Sequence, residues 1–209
     1  MPRKADALRH FKRVDPHFHK ATRPHHASLP RELPQRRTGA ELFESLVAIV
    51  ISQQLGSAAA DTITLRVKKA CGGRLTPKPV LRTRLPAFRK AGLSGAKTKT
   101  LKAIASAVEN NSLDLLSLKK LSEADAAEKL MGIWGLGPWS VEMFLMNSLG
   151  RSDIFSSGDL GLIRAIETIY SLPKNTPRTS LLAIAEKWSP YRSYASLLLW
   201  RTRDTKKAN

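Results

Sequence analysis

The chain has 209 residues, 42% of them hydrophobic, which is enough for one compact domain or two small ones and excludes the disordered classes. Its 35 Lys and Arg against 17 Asp and Glu give a formal charge of +18 and a pI near 10.5, so the expected partner is a polyanion, nucleic acid ahead of an acidic membrane surface. With no run of 18 apolar residues and a polar N-terminal stretch MPRKADALRHFKR, neither a membrane span nor a leader is expected, and the single cysteine Cys71 excludes an internal disulfide framework and a four-cysteine iron–sulfur cluster.

These readings predict a soluble, intracellular protein, in the cytoplasm or nucleoid, or in the nucleus if the source is eukaryotic. Residues 1–37 are rich in Arg, His and Pro. His17, His19, His25 and His26 match no zinc spacing, having neither a partnering Cys nor a carboxylate at helical spacing, and the segment reads as basic surface. Thr38 to Glu41 is a capping box. Leu42, Phe43, Leu46, Val47 and Val50 then recur at helical spacing, predicting a buried helix to about Ser52. It ends in Gln53, Gln54, Leu55 and Gly56, either a groove-reading turn or a solvated one, before a second helix over 57–70 closed by Gly72 and Gly73.

Residues 72–79 read as a loop and 86–91 as a short helix stopped by Gly92. Lys97 and Lys99 stand at the start of the next helix, whose Leu101, Ile104, Ala105 and Val108 share a face. They read either as a phosphate contact or as a solvated pair. Ser122 caps the helix that leads to Met131. The chain then turns through Gly132, Gly135 and Gly137, and a helix starts at Pro138 and Trp139 and runs apolar to Leu149. This is a helix, a glycine hairpin and a helix, and the amides at the second helix's start suit a phosphate.

Asp159 opens the next helix, over 160–171. Another runs from Asn175-Thr-Pro177 to Trp188, and Ser189 and Pro190 begin the last, with a frayed tail over 204–209. No period-2 strand is evident, and about eight to ten helices are expected. The class is all-α.

Asp159 has a structural reading, as a helix N-cap, and a chemical one. A lone carboxylate cannot cut a phosphodiester by the two-metal route, which needs clustered acids. It can stabilise an oxocarbenium-like C1′, as in glycoside hydrolysis. Trp139 and Trp200 are either core residues or π faces for an extruded base.

With these residues assembled, the chain resembles the helix-hairpin-helix DNA glycosylases, and within them the 3-methyladenine DNA glycosylase II (AlkA-like) branch. The resemblance is carried, in the family's order, by FESLVAIVISQQLGSAAADTI, AGLSGAKTKTLKAIA, LMGIWGLGPWSVEMFLM, DIFSSGDLGLIRAI and WSPYRSYASLLLW, spanning about residues 42–201. It implies two helical subdomains with an active cleft between them, 45–150 carrying the hairpin and 1–44 plus 151–209 forming the other. Residues 1–41 hold no counterpart to the N-terminal β domain of larger members.

The resemblance also implies residue roles. Asp159 takes the place of the catalytic aspartate, and Trp139 and Trp200 those of the aromatic residues of the base pocket. Leu55 takes the place of the wedge that fills the hole in the duplex, with Gln53, Gln54 and Gly56 around it, while Gly135 and Gly137 bind phosphate and Lys97 lies among the DNA contacts. A structural K+ or Na+ maps to the backbone carbonyls of Met131, Ile133 and Leu136.

Bifunctional relatives carry a lysine nucleophile where this chain has Trp139, so base excision without a lyase step is expected, with no required cofactor and no iron–sulfur cluster. The implied activity is that of a monomeric, monofunctional glycosylase that excises alkylated purines of the 3-methyladenine and 7-methylguanine type from duplex DNA. The competing reading is a non-catalytic DNA-binding module with Asp159 only a cap. Three positions depart from the family pattern. Ser156, Ser157 and Gly158 replace a Pro and a second acid, which predicts a looser loop before Asp159. Met143 stands where some relatives have a pocket tyrosine, and Gly56 supplies no side chain beside the wedge.

Overall fold

The computed structural model describes residues 3–36 and 38–207. Among these the chain is helical throughout, without a strand. In order it forms α1 (Lys4–Val14), α2 (Pro16–Thr22), α3 (Gly39–Ser52), α4 (Ser57–Ala70), α5 (Pro77–Arg82) and α6 (Leu85–Lys90). There follow α7 (Gly95–Glu109), α8 (Glu123–Met131), α9 (Pro138–Asn147), α10 (Leu160–Ile169), α11 (Arg178–Glu186) and α12 (Arg192–Lys207). Short 3₁₀ turns lie at Arg23–His25 and Ser117–Lys120. No helix among the described residues is long and apolar enough to cross a membrane.

The chain divides into two units, a central one over Gln35–Leu149 and a discontinuous one made of Met1–Pro34 and Gly150–Asn209. The first boundary falls ahead of α3 rather than at residue 45. The helix is continuous from Gly39, and its apolar face belongs wholly to the central unit.

In the central unit, Thr38 caps α3 as its sequence predicts. The Thr38 hydroxyl accepts the Glu41 amide at 3.2 Å, and the Glu41 carboxylate accepts the Thr38 amide at 2.9 Å. Leu42, Phe43, Leu46, Val47, Val50 and Ile51 are buried and bring α3 against α4, α7 and α9. Each such side chain contributes about 1.5–3 kcal/mol of burial. One predicted loop is partly a helix, because Pro77 starts α5 at a first-turn position where a missing N–H costs nothing.

The discontinuous unit corrects the reading of residues 1–37 as basic surface. Ala7, Phe11 and Phe18 are fully buried there. The Phe18 ring lies 4.5 Å from Trp188 and meets Phe11 edge-on at 5.3 Å. The Asp15 carboxylate accepts the Phe18 amide at 3.0 Å, the Trp188 indole N–H at 3.2 Å and the Tyr170 hydroxyl. Burial, with this carboxylate beside it, pushes the Tyr170 phenol far above its ordinary range. Two histidines also join the N-terminal helices to later ones, His10 donating to the Lys187 carbonyl at 3.1 Å and His17 to the Ile169 carbonyl at 2.8 Å. The dense Arg and His had hidden one apolar residue per turn, and that stripe is what α1 and α2 bury. At the other end, α12 continues through Lys207, past the expected start of a frayed tail, and residues 208–209 lie outside the described ones.

Candidate functional site

Candidate groups lie in both units. In the central unit they form one connected set around the hairpin. Helix α8 ends at Gly132, the Ile133 amide donates to the Leu130 carbonyl at 3.0 Å, and the Leu136 amide donates to the Ile133 carbonyl at 3.1 Å. Of the three hairpin glycines only Gly135 is demanded by geometry. Its φ is +86°, and a Cβ there would stand 2.0 Å from Thr100 Oγ1 of α7. Gly137, the cap of α9, has φ −98° and nothing within 4 Å of a built Cβ, so this chain's own packing does not require glycine there. What glycine does at 137 is leave the start of α9 without a side-chain cap, which keeps its first turn suited to an anion.

The turn between α3 and α4 is fixed from below. Gln53 directs its amide nitrogen to Ser140 Oγ at 2.8 Å and to the Gly135 carbonyl at 3.4 Å. It is a strut between the α3–α4 turn and the hairpin. Gln54, with φ +59°, Leu55 and Gly56 are exposed. Leu55 is 40% accessible, an apolar tip held outward by an anchored base.

Lys97 corrects a second expectation. Its ammonium turns inward and donates to the Ile51 carbonyl at 2.8 Å and the Gln53 carbonyl at 2.6 Å, satisfying the C-terminus of α3. Burial lowers its pKa from the ordinary lysine value. The exposed cation is Lys99, whose Nζ lies 4.1 Å from the centroid of Trp134 on the hairpin. Lys97→Met keeps the stem and removes both hydrogen bonds. In urea denaturation it is expected to lose about 1–3 kcal/mol. The salt dependence of DNA affinity should stay as it is, whereas loss of a phosphate ligand would lower that slope by about one.

The carbonyls of exposed Met131, half-buried Ile133 and buried Leu136 are neutral oxygen donors, the donor chemistry of a monovalent cation. The Ile133 oxygen already accepts one amide and retains a second lone pair. Trp139, in the first turn of α9, is half-buried.

In the discontinuous unit, Asp159 caps α10. Its Oδ1 accepts the Leu162 amide at 2.9 Å and the Trp200 indole N–H at 3.0 Å. The cap and the candidate chemical group are therefore the same carboxylate, on which both of these N–H donors converge. The loop before it is pinned, contrary to the looser loop expected. Ser156 and Ser157 are buried, the Asp159 amide donates to the Ser156 carbonyl at 3.1 Å, and Arg178 Nε donates to Ser157 Oγ at 2.7 Å.

Residues 47–190, more than half of the chain, match the family described as HhH-GPD superfamily base excision DNA repair protein. The chain belongs to the HhH-GPD superfamily. DNA-3-methyladenine glycosylase 1 of Schizosaccharomyces pombe is 33% identical over 165 residues, 78% of this chain and 72% of that protein. Two solved structures are similar throughout. The DNA-3-methyladenine glycosidase of Bacillus halodurans gives a TM-score of 0.75 at 32% identity, covering 96% of this chain and 91% of that one. The S. pombe 3-methyladenine DNA glycosylase in complex with abasic DNA gives 0.78 at 29% identity, covering 93% and 95%.

In this HhH-GPD member the structure brings Gln53, Gly135, Ser140, Thr100 and Lys97 into one supporting lattice, and Asp159 and Trp200 into another. Trp139 belongs to the central unit and Asp159 to the discontinuous one. Ser140, Thr100, Arg178 and the Lys99–Trp134 pair were not foreseen. No local pattern marks them, because each gains its meaning from a partner many residues away.

Proposed function

We propose that this protein is a monofunctional DNA glycosylase of the 3-methyladenine type, which excises alkylated purines from duplex DNA in base excision repair. The observation that carries this reading is the Asp159 carboxylate, fixed by an indole N–H and a backbone amide at the head of α10 in a chain of the HhH-GPD superfamily. The B. halodurans and S. pombe relatives, both named for 3-methyladenine, support the choice of lesion class.

The chemistry follows from charge. An N3- or N7-alkylated purine is already cationic, so when the bond from C1′ breaks it takes the bonding electrons and leaves neutral. Positive charge then develops at C1′ and the ring oxygen, where the Asp159 anion stabilises it. Water adds to C1′ and gives up a proton, leaving free base and an abasic site. A strong general acid is unnecessary because the leaving group needs no protonation. Trp139 offers a π face to the electron-poor purine. Leu55, beside Gln54 and Gly56, supplies the wedge, and Gly135 and Gly137 shape the phosphate-binding hairpin. A K+ or Na+ would be held by the carbonyls of Met131, Ile133 and Leu136 and would add positive charge on the phosphate side of that turn. With Trp139 where bifunctional relatives have lysine, the reaction stops at the abasic site.

The test is incubation of N-methylated duplex DNA with the protein, followed by separation of free bases and by strand analysis with and without hot alkali. Released 3-methyladenine or 7-methylguanine, with strand breaks only after alkali, is the expected result. Tight duplex binding without release would replace this reading by a non-catalytic binding module.

A further inference from the structure

The contact between Trp200 and Asp159 bears on how the carboxylate is aimed. Asp159 Oδ1 receives both the Trp200 Nε1–H at 3.0 Å and the Leu162 amide at 2.9 Å, which fixes the direction of the carboxylate. Space for this arrangement comes from Gly161, the second residue of α10. A Cβ built there would lie 2.8 Å from Asp159 Oδ1, and 3.0 and 3.1 Å from Trp200 Cδ1 and Nε1. Nothing in the backbone explains glycine at 161, since its φ is not in the left-handed region and alanine is the better helix former. The glycine is explained by the side chains that cross over it.

We infer that Trp200 and Gly161 are positioning residues for Asp159: the indole N–H aims the carboxylate, and the missing side chain at 161 leaves room for it to be aimed. This assigns Trp200 a role carried by its nitrogen rather than by its ring face. It rests on the proposed glycosylase reading, because only a carboxylate that acts on a developing cation loses rate when it swings aside.

The physical argument separates the two effects that a substitution usually mixes. In Gly161→Ala, the cheapest relief of the 2.8 Å contact is rotation of the Asp159 side chain, the movable end of a flexible group. The helix keeps its backbone, and the gain of a better helix former offsets the cap bond lost when the carboxylate is displaced. Displacement of a reacting group by about 1 Å costs on the order of a hundredfold in rate. Trp200→Phe retains an aromatic ring and removes the donor, at the cost of the smaller ring area.

The experiment is single-turnover release of methylated base from duplex DNA, fitted for the rate at saturating enzyme and for half-saturation, on wild type, Trp200→Phe and Gly161→Ala. Thermal unfolding of each variant is measured alongside. Both variants are expected to lose about ten- to a hundredfold in the saturating rate. Half-saturation should stay within about twofold, as for a group that acts in the transition state alone, and Gly161→Ala should still unfold in one cooperative transition. The indole N–H resonance of Trp200 should also shift in Asp159→Asn. A wild-type saturating rate in Trp200→Phe, or a loss confined to half-saturation, would overturn the inference and return Trp200 to a stacking role. An unshifted indole resonance would do the same. Wild type releasing no base at all would instead remove the glycosylase reading, so the two failures are distinguishable. If Gly161→Ala fails to fold, Trp200→Phe and the resonance still decide.

Discussion

Asp159→Asn is expected to abolish base release while leaving the protein folded and bound to DNA. The substitution preserves the cap. Asn is as good an N-cap as Asp, and its amide oxygen can still accept the Leu162 and Trp200 N–H groups that Oδ1 accepts now. What disappears is the negative charge. If that charge offsets an oxocarbenium-like C1′, its loss costs about 3–4 kcal/mol of transition-state stabilisation, roughly a hundred- to a thousandfold in rate. The comparison is between single-turnover rates on methylated duplex, with affinity for an undamaged duplex and thermal midpoint as controls. Equal rates in both proteins would leave Asp159 as a cap and nothing more.

Gly135→Ala should produce the largest loss of stability in the central unit. Two costs combine there. Alanine at φ +86° costs about 1–2 kcal/mol. The new Cβ would also meet Thr100 Oγ1 at 2.0 Å and its Cβ and Cγ2 at 2.9 Å. Threonine in the middle of a helix has few rotamers to escape into, and its hydroxyl is engaged with the Ala96 carbonyl at 3.2 Å. The hairpin must therefore lift from α7, for a total of about 2–5 kcal/mol. Lifting it also disturbs the Gln53 strut, so affinity for duplex DNA should fall together with the urea midpoint. Pairing the change with Thr100→Ala should recover part of the steric loss and none of the backbone loss, giving a non-additive cycle. Additive losses would mean that Thr100 is not what Gly135 makes room for.

These two residues also mark what the amino-acid order does and does not disclose. Asp159 and the hairpin were legible because each is built locally, from a cap residue before an apolar helix and from glycines between two helical periods. The capping box of α3, the Ser57 start of α4 and the Ser122 start of α8 were legible for the same reason. The role of Lys97 was not. A lysine in the first turn of one helix looks the same whether it faces solvent or reaches the last carbonyls of another helix 44 residues earlier in the chain. The strut made by Gln53 was hidden in the same way, since Ser140 lies far along the sequence. The N-terminal helices were hidden for a compositional reason. Charged and imidazole side chains outnumber the few buried ones that decide where the segment goes, and Asp15, the group that ties them down, looks like any solvated acid until Tyr170 and Trp188 surround it. The Ser-Ser-Gly approach to Asp159 misled because the Arg178 contact that tightens it comes from another helix.

The division of the chain into one continuous unit and one assembled from two distant stretches sets an order of events during synthesis. Everything the hairpin unit needs has been made once residue 149 is clear of the ribosome. The N-terminal helices must wait, because Asp15 finds Trp188 only 173 residues later and His10 finds the Lys187 carbonyl only 177 residues later. Such distant contacts close slowly, and domains that are contiguous in sequence fold ahead of those that are not. A growing chain thus has its hairpin unit in place before the unit that carries Asp159 can close, and if Asp159 does the chemistry, that is the last capability the protein acquires.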